Sequence, residues 1–297
     1  MKARNRTSSK MREWHLTWLM IRKSKIAMIA AGILGSVIII ALLAPWIVPY
    51  DPTAITPGRE FLPPDNSHLL GTDNLGRDVL SRTLMGLRAS VFASMFVVAL
   101  SSMVGIPVGG VSGYLGGKID TLLMRITDIV MGFPGITLAL LLAYAMGRGI
   151  FSAALALGVV GWTSSARIIR SVVLSEKQRD YVMAAKVLGK NNFQILFGEV
   201  LPNCLYPIIV DVMLRMGTTI VALAGLSFVG VGVQPPQPDL GVAVSEGRQF
   251  IFEDPLLSII PGVLILIIVL SYNLLGDRLR DALDPNLRRE LVGGSVE

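Results

Sequence analysis

Charge is what this sequence most lacks. Of 297 residues only 16% are Asp, Glu, Lys or Arg, while 52% are hydrophobic. A soluble domain carries about 25% charged residues, so a single water-soluble core cannot hide this much apolar chain, and lipid is the natural solvent for the excess. Cysteine is nearly absent as well. Cys204 stands alone, which excludes an intrachain disulfide and reads as packing. Two histidines, His15 and His68, are too few and too far apart for a histidine-based metal site, and His68 reads as a loop residue. The motifs of common chemistry are missing too. A phosphate-binding loop needs Gly-Lys followed by Ser or Thr; here Gly117-Lys118 precedes Ile119 and Gly189-Lys190 precedes Asn191. There is no His-Glu-x-x-His and no Gly-x-Ser-x-Gly. The chain cannot hydrolyse ATP by that route, and no catalytic residue is assigned.

What is present is a series of apolar runs. Six can cross a membrane: residues 26–48, 91–111, 126–146, 150–166, 205–229 and 256–275. A span needs about 20 residues. The fourth run reaches only about 26 Å at 1.5 Å per residue, slightly short of a ~30 Å hydrocarbon core. The first follows a basic segment, 1–25, but exceeds the roughly 7–15 residues of a signal-peptide core, so it reads as an uncleaved first span. Gly and Pro recur inside the runs, at Pro107, Gly109, Gly110, Gly217, Gly225 and Phe133-Pro134-Gly135. Small residues let helices approach closely, and breaks survive in lipid only where neighbours re-satisfy the backbone. Phe133-Pro134-Gly135 reads as a kink, either fixed or one that moves during gating.

The basic residues lie at the ends of these runs rather than on one face, which argues against nucleic acid. With the N-terminus inside, 20 Lys and Arg fall on cytoplasmic segments and 6 outside, with Arg215 left in a span. That bias follows the positive-inside rule, and an even number of spans returns the C-terminus to the cytoplasm. The expected organisation is a cytoplasmic segment 1–25, a first span 26–48, an outside loop 49–90 with an interfacial helix, a five-helix core 91–275 with a cytoplasmic loop 167–203, and a cytoplasmic tail 276–297. Asp211 and Arg215 share a face of the fifth span at i,i+4. Ionisable residues in lipid face a bundle interior or water; these two either line a pathway or neutralise one another in the packing.

Two segments carry further pattern. In the cytoplasmic loop, Glu176 and Asp180 suit a helix N-terminus, Ala184 and Ala185 favour helix, and Gly189 suits a C-cap. Phe193, Leu196, Phe197, Val200 and Leu201 recur at helical spacing up to Pro202, which ends the second helix. The expected form is a helix–turn–helix whose small alanine face enters a groove on a partner. In the first outside loop, Thr72 or Asp73 can cap a short helix, and Asp78 and Arg82 can pair at i,i+4. Leu75, Val79, Leu80, Leu84 and Leu87 form an apolar stripe that suits an interfacial anchor.

The cytoplasmic segment resembles the EAA loop of ABC importer permeases, through Ala184-Ala185, Gly189 and Leu201-Pro202, with Met183 in place of the family's Glu. The outside segment, with Gly71, Thr72, Asp73, Gly76, Arg77, Asp78, Ser81 and Arg82, resembles the signature of the dipeptide/oligopeptide and nickel permease subfamily. Residues 120–134 and the tail at Gly276-Asp277-Arg278 agree with it. Tyr50-Asp51-Pro52 after the first span fits the C-type member of the permease pair.

The resemblance implies an all-α, six-span type I importer bundle with a coupling helix that includes Tyr181, Ala184, Ala185 and Gly189. It also implies a homologous second permease, two ATPase subunits that hold ATP and magnesium, and an extracytoplasmic binding protein. No cofactor is expected on this chain itself. The function the resemblance implies is one half of an ATP-driven importer for di- or oligopeptides working by alternating access, with a nickel-chelate or glutathione importer as the alternative within the family. An ATP-independent channel or carrier, and a membrane enzyme, are the readings of other classes.

Overall fold

The computed structural model describes residues 20–22 and 24–283. Most of the basic N-terminal segment, and the tail beyond 283, lie outside the described residues. Every regular element described is helical. Helix α1 is Lys25–Ile47, α2 is Val79–Leu115, α3 is Gly117–Met131, α4 is Gly135–Ala145 and α5 is Ile150–Glu176. A short α6, Asp180–Val187, precedes a helical run of α7 (Asn192–Ile195), a π turn (Leu196–Val200) and α8 (Leu201–Asn203). Then come α9 (Leu205–Phe228), α10 (Leu240–Arg248) and α11 (Leu256–Leu283).

Five of these, α1, α2, α5, α9 and α11, are each long and apolar enough to cross a membrane. Helices α3 and α4 pass only as a pair, bent by 81° at the break between them. The kink expected at Phe133-Pro134-Gly135 is therefore a sharp corner: Pro134 has no N–H to continue α3 and stands as the N-cap of α4.

Three boundaries differ from the sequence reading. The helix of the fourth run does not stop at 166 but continues to Glu176, and its added turns carry charged residues that meet partners along α3. Arg170 meets Asp120 through two hydrogen bonds of 2.6 Å, and Arg167 meets Asp128 at 2.6 Å. The helix of the second run begins at Val79, so no separate helix precedes it; α2 has 37 residues, about 56 Å at 1.5 Å per residue, and is longer than a hydrocarbon core is thick. The last helix runs into the expected tail, as far as Leu283.

The most extensively packed helix pair among the described residues is α2 with α5, and small residues let it pack closely. Gly105, Gly109 and Gly113 form a ridge at four-residue spacing. A Cβ at Gly109 would stand 2.3 Å from the Ala166 carbonyl oxygen, and one at Gly113 would stand 2.8 Å from that of Arg170. In lipid, helix association relies on such close van der Waals approach. Gly109→Val should therefore separate α2 from α5 and sharply lower the yield of monodisperse protein in size-exclusion chromatography. Gly32→Val, where nothing lies within 4 Å, should not; equal yields would refute the ridge.

The main core joins α1, α2, α9 and α11 through Leu34, Val37, Leu87, Val91, Ile220 and Ile268. A second cluster sits at one end of the bundle. It packs Val182 and Ala185 of α6, and Ile195, Leu196 and Val200 after it, against Ile169 and Val173 of α5. Lys177 Nζ donates to the Gly113 carbonyl at 2.7 Å, which brings the α2–α3 turn to this same end. The loops 48–78 and 229–255 meet at the opposite end, where Arg82 Nη1 donates to the carbonyls of Pro52 and Pro236 at 3.1 and 3.3 Å.

Candidate functional site

The first candidate site is the loop end that holds residues 71–82. Two positive-φ glycines shape it: Gly71 at φ +74° and Gly76 at φ +68°, where a Cβ would stand 2.5 Å from Leu62 O and 2.2 Å from Thr56 O. Thr72 Oγ1 donates to Arg59 O and accepts from Leu62 N at 2.9 Å, which stitches the loop to itself. The helix cap is Asp78, not Thr72 or Asp73. Its Oδ2 accepts from Ser81 N and Ser81 Oγ, each at 2.7 Å, while Oδ1 meets His68 Nδ1 at 2.9 Å. That occupation is why the expected Asp78–Arg82 pair does not form. His68 is a loop residue, as expected, but it is buried against Tyr50, with ring centroids 4.7 Å apart.

Arg82 turns instead to a buried charge cluster. Arg77 Nε donates to Asp73 Oδ2 at 2.6 Å, and Arg77 Nη2 donates to Glu246 Oε2 at 3.0 Å. Arg82 Nη2 donates to the same Glu246 oxygen at 2.8 Å, and Arg82 Nε lies 3.3 Å from Asp73 Oδ2. Two cations and two anions thus neutralise each other, and the side chain of Arg77 is only 2% exposed. The guanidinium forks suit this geometry because each presents several donors in one plane. The cluster ties the first loop to α10. Asp239 adds a second tie: it caps α10 by accepting from Gly241 N at 2.9 Å, and Ser90 Oγ of α2 donates to it at 2.7 Å. Burial raises the Asp239 carboxyl above its ordinary range, against the opposing pull of these donors. Glu246 and Asp239 were not found in the sequence. Glu246 lies 164 and 169 residues from its arginines, and Asp239 lies 149 residues from Ser90; the cap at Asp239 is local, but nothing nearby in the chain marks either long-range tie.

The second candidate site is the hairpin at the other end. Asp180 lies in the first turn of α6. Gly189, at φ +76°, closes the helix: Gly189 N donates to Lys186 O at 2.9 Å and Lys190 N to Ala185 O at 3.2 Å. This pair of bonds is the Schellman C-cap that glycine favours. Tyr181 Oη donates to Glu176 at 3.0 Å and fixes α6 to the end of α5. Asn191 begins the next helix with a reciprocal capping box to Gln194.

The alanine face divides. Ala185 is buried inward with Val182, whereas Ala184 is exposed beside Met183, Val187 and Leu188. The second apolar stripe divides likewise. Leu196 and Val200 pack inward, while Phe193 is 70% exposed and stacks on Phe197 at 4.5 Å. Pro202 does not end the helix; it sits in the final helical turn, just after a wide π turn, and the chain bends at Cys204 into α9. A proline cannot donate to the carbonyl four residues back, and the π register upstream accommodates that loss.

Burial pushes the Cys204 thiol up to about 12, helped by the negative charge of Glu176. The thiolate is the reactive form. Maleimide labelling of the folded protein should therefore stay negligible and nearly flat from pH 7 to 9, and rise only after denaturation. Labelling that climbs through pH 8–9 as for an ordinary thiol would contradict this environment.

Asp211 and Arg215 are both brought to Ser165 of α5. Ser165 Oγ donates to Asp211 Oδ2 at 3.1 Å, and Arg215 Nη1 donates to Ser165 Oγ. Asp211 is buried, and Arg215 borders a cavity of about 500 Å³ beside the α3–α4 corner. The hydroxyl thus mediates the pair that the i,i+4 spacing suggested.

Comparison with known proteins agrees with this architecture. Residues 105–289 match the family model "Binding-protein-dependent transport system inner membrane component", and residues 13–64 match "N-terminal TM domain of oligopeptide transport permease C". The dipeptide transport system permease protein DppC of Haemophilus influenzae is 40% identical over 278 residues, covering 92% of this chain and 94% of that one. The glutathione transport system permease protein GsiD of Pectobacterium atrosepticum is 38% identical over 276 residues, covering 93% and 92%. Among solved structures, an inward-facing form of the MetNI methionine ABC transporter aligns with a TM-score of 0.57 at 20% identity, covering 69% of this chain and 97% of that one. That likeness concerns the fold. The chain is a multi-pass inner-membrane transport subunit rather than an enzyme, and it belongs to the family of binding-protein-dependent ABC transport permeases, as an OppC-type member.

Proposed function

We propose that this chain forms half of the translocation pathway of an importer for di- or oligopeptides, glutathione included. Its partner across the pathway is a homologous second permease. Two ATPase subunits, which hold ATP and magnesium, grip the hairpin end, and an extracytoplasmic binding protein delivers solute to the clamp end. Both termini lie in the cytoplasm, as the charge bias favours.

The observation that carries the reading is the exposed apolar tip of the hairpin. Val187 is 88% exposed, Leu188 78% and Phe193 70%, on a segment rigidly tied to α5 and α9 through its inward face. An apolar helix face presented to water suits a groove on a partner. Its inward packing would pass motion of that partner to the spans. Movement of the ATPases then rocks the bundle between outward and inward access. This requires that the ATP-bound partners favour one bundle conformation over the other.

The test is purification and reconstitution. The tagged chain should copurify with two ATPases and a second permease, and proteoliposomes holding all of them should accumulate dipeptide or glutathione only with ATP and binding protein. Uptake by this chain alone would refute the proposal in favour of a channel or carrier.

A further inference from the structure

The cavity beside the α3–α4 corner lies near the mid-depth of the bundle. Its walls include Val97, at the midpoint of α2, and Arg215, about 15 Å along α9 from its start. Its volume of about 500 Å³ suits a small solute, since ligand pockets run to about 300–1,000 Å³. The lining is apolar at Val97, Phe133 and Leu157 and hydroxylic at Thr218 and Thr219. Arg215 is its one ionisable wall residue.

That guanidinium has a built seat. A Cβ at Gly161 would stand 2.9 Å from Arg215 Nη2, so glycine there leaves room for the side chain. Ser165 Oγ takes Nη1, and Asp211 lies behind Ser165, outside the cavity lining. Among the described residues, Ser165 is the only hydrogen-bond partner found for the guanidinium. An arginine has five N–H donors, and a cation at this depth is costly unless it faces water or an anion. The arrangement holds a positioned cation, with the Asp211 carboxylate one hydroxyl behind it and most of its N–H donors still free, against an otherwise neutral cavity.

We propose that Arg215 is a carboxylate-recognising station in the translocation pathway, which takes the solute's free carboxylate in passing through a charge-assisted hydrogen bond. This rests on the function proposed above. Loss of a charge-assisted hydrogen bond should show as discrimination of about tenfold or more between an acid and its uncharged amide.

The experiment measures ATP-driven uptake by the complete reconstituted complex. The probes are Ala-Ala and its C-terminal amide, each at a concentration that saturates the binding protein. The wild-type complex should carry the acid about tenfold faster than the amide. In Arg215→Gln that ratio should collapse towards one, and in Arg215→Lys it should largely persist. Because both probes pass through the same preparation, a folding defect would lower both rates and leave the ratio intact. A wild-type ratio near one, or a ratio unchanged in Arg215→Gln, would overturn the proposal. A wild-type complex that carries neither probe and no glutathione would instead refute the importer reading itself.

Discussion

Arg77→Ala is expected to destabilise the protein by about 3–5 kcal/mol, the cost of breaking a buried ion pair from one side. Arg77 is the most deeply buried member of the four-charge cluster, and it serves both Asp73 and Glu246. Its removal leaves two carboxylates with only Arg82, and Asp73 has a side chain just 9% exposed. Water cannot readily replace the lost donors there. Arg77→Lys should recover part of the loss, because an ammonium restores the charge but not the planar fork. Arg59→Ala, at an exposed position of the same loop, should change stability by no more than about 0.5 kcal/mol. Thermal unfolding of the detergent-solubilised protein orders these variants. A midpoint for Arg77→Ala equal to that of Arg59→Ala would show that the cluster does not hold the loop to α10.

Gly189→Val and Ala185→Leu should separate ATP hydrolysis from transport. At Gly189 the backbone has φ +76°, a conformation that costs an L-residue roughly 1–2 kcal/mol and more for a β-branched one. The substitution strains the Schellman turn and frees α6 from the run that follows. At Ala185, 5% exposed between α6 and its own core, extra methylenes cost about 1–3 kcal/mol by overpacking and push α6 outward. A shift of 1–2 kcal/mol between two arrangements changes their ratio by a factor of about 5–30. Solute accumulated per ATP hydrolysed in proteoliposomes should fall by that order, while hydrolysis itself continues. Wild-type yield per ATP in both variants would remove the hairpin from the drive train.

Ala184→Leu, by contrast, adds bulk on the exposed side. It should act only through the partner and leave the thermal stability of the isolated chain unchanged.

The residues themselves prescribed much of this protein. Long apolar runs with charge only at their ends have no stable home but lipid, and so five of the six expected spans could be read directly, while the third run is a helix pair bent by 81°. Local chemistry was legible wherever it acts over a few residues. Gly189 as a C-cap, Asp180 in a helix first turn and the break at Pro134 all follow from backbone rules that need no neighbours. The family could be read for the same reason: its motifs at 71–82 and 181–202 are contiguous.

Tertiary structure decided everything that depends on a partner distant in the chain. Asp78 and Arg82 have the spacing of an ion pair, but Asp78 is drawn to a helix N-terminus and His68, while Arg82 is claimed by Glu246, 164 residues away. The helix of the fourth run outlasts its apolar stretch, and Asp120 and Asp128 of another helix pair with the arginines it carries there. The two alanines of the hairpin are adjacent in sequence and equal in helix propensity, yet one is core and one is surface, since a single turn of helix has two sides and only packing on α5 chooses between them. A span's existence is set by its own hydrophobicity; where its charges go, and which face meets a partner, is set by what lies across the bundle.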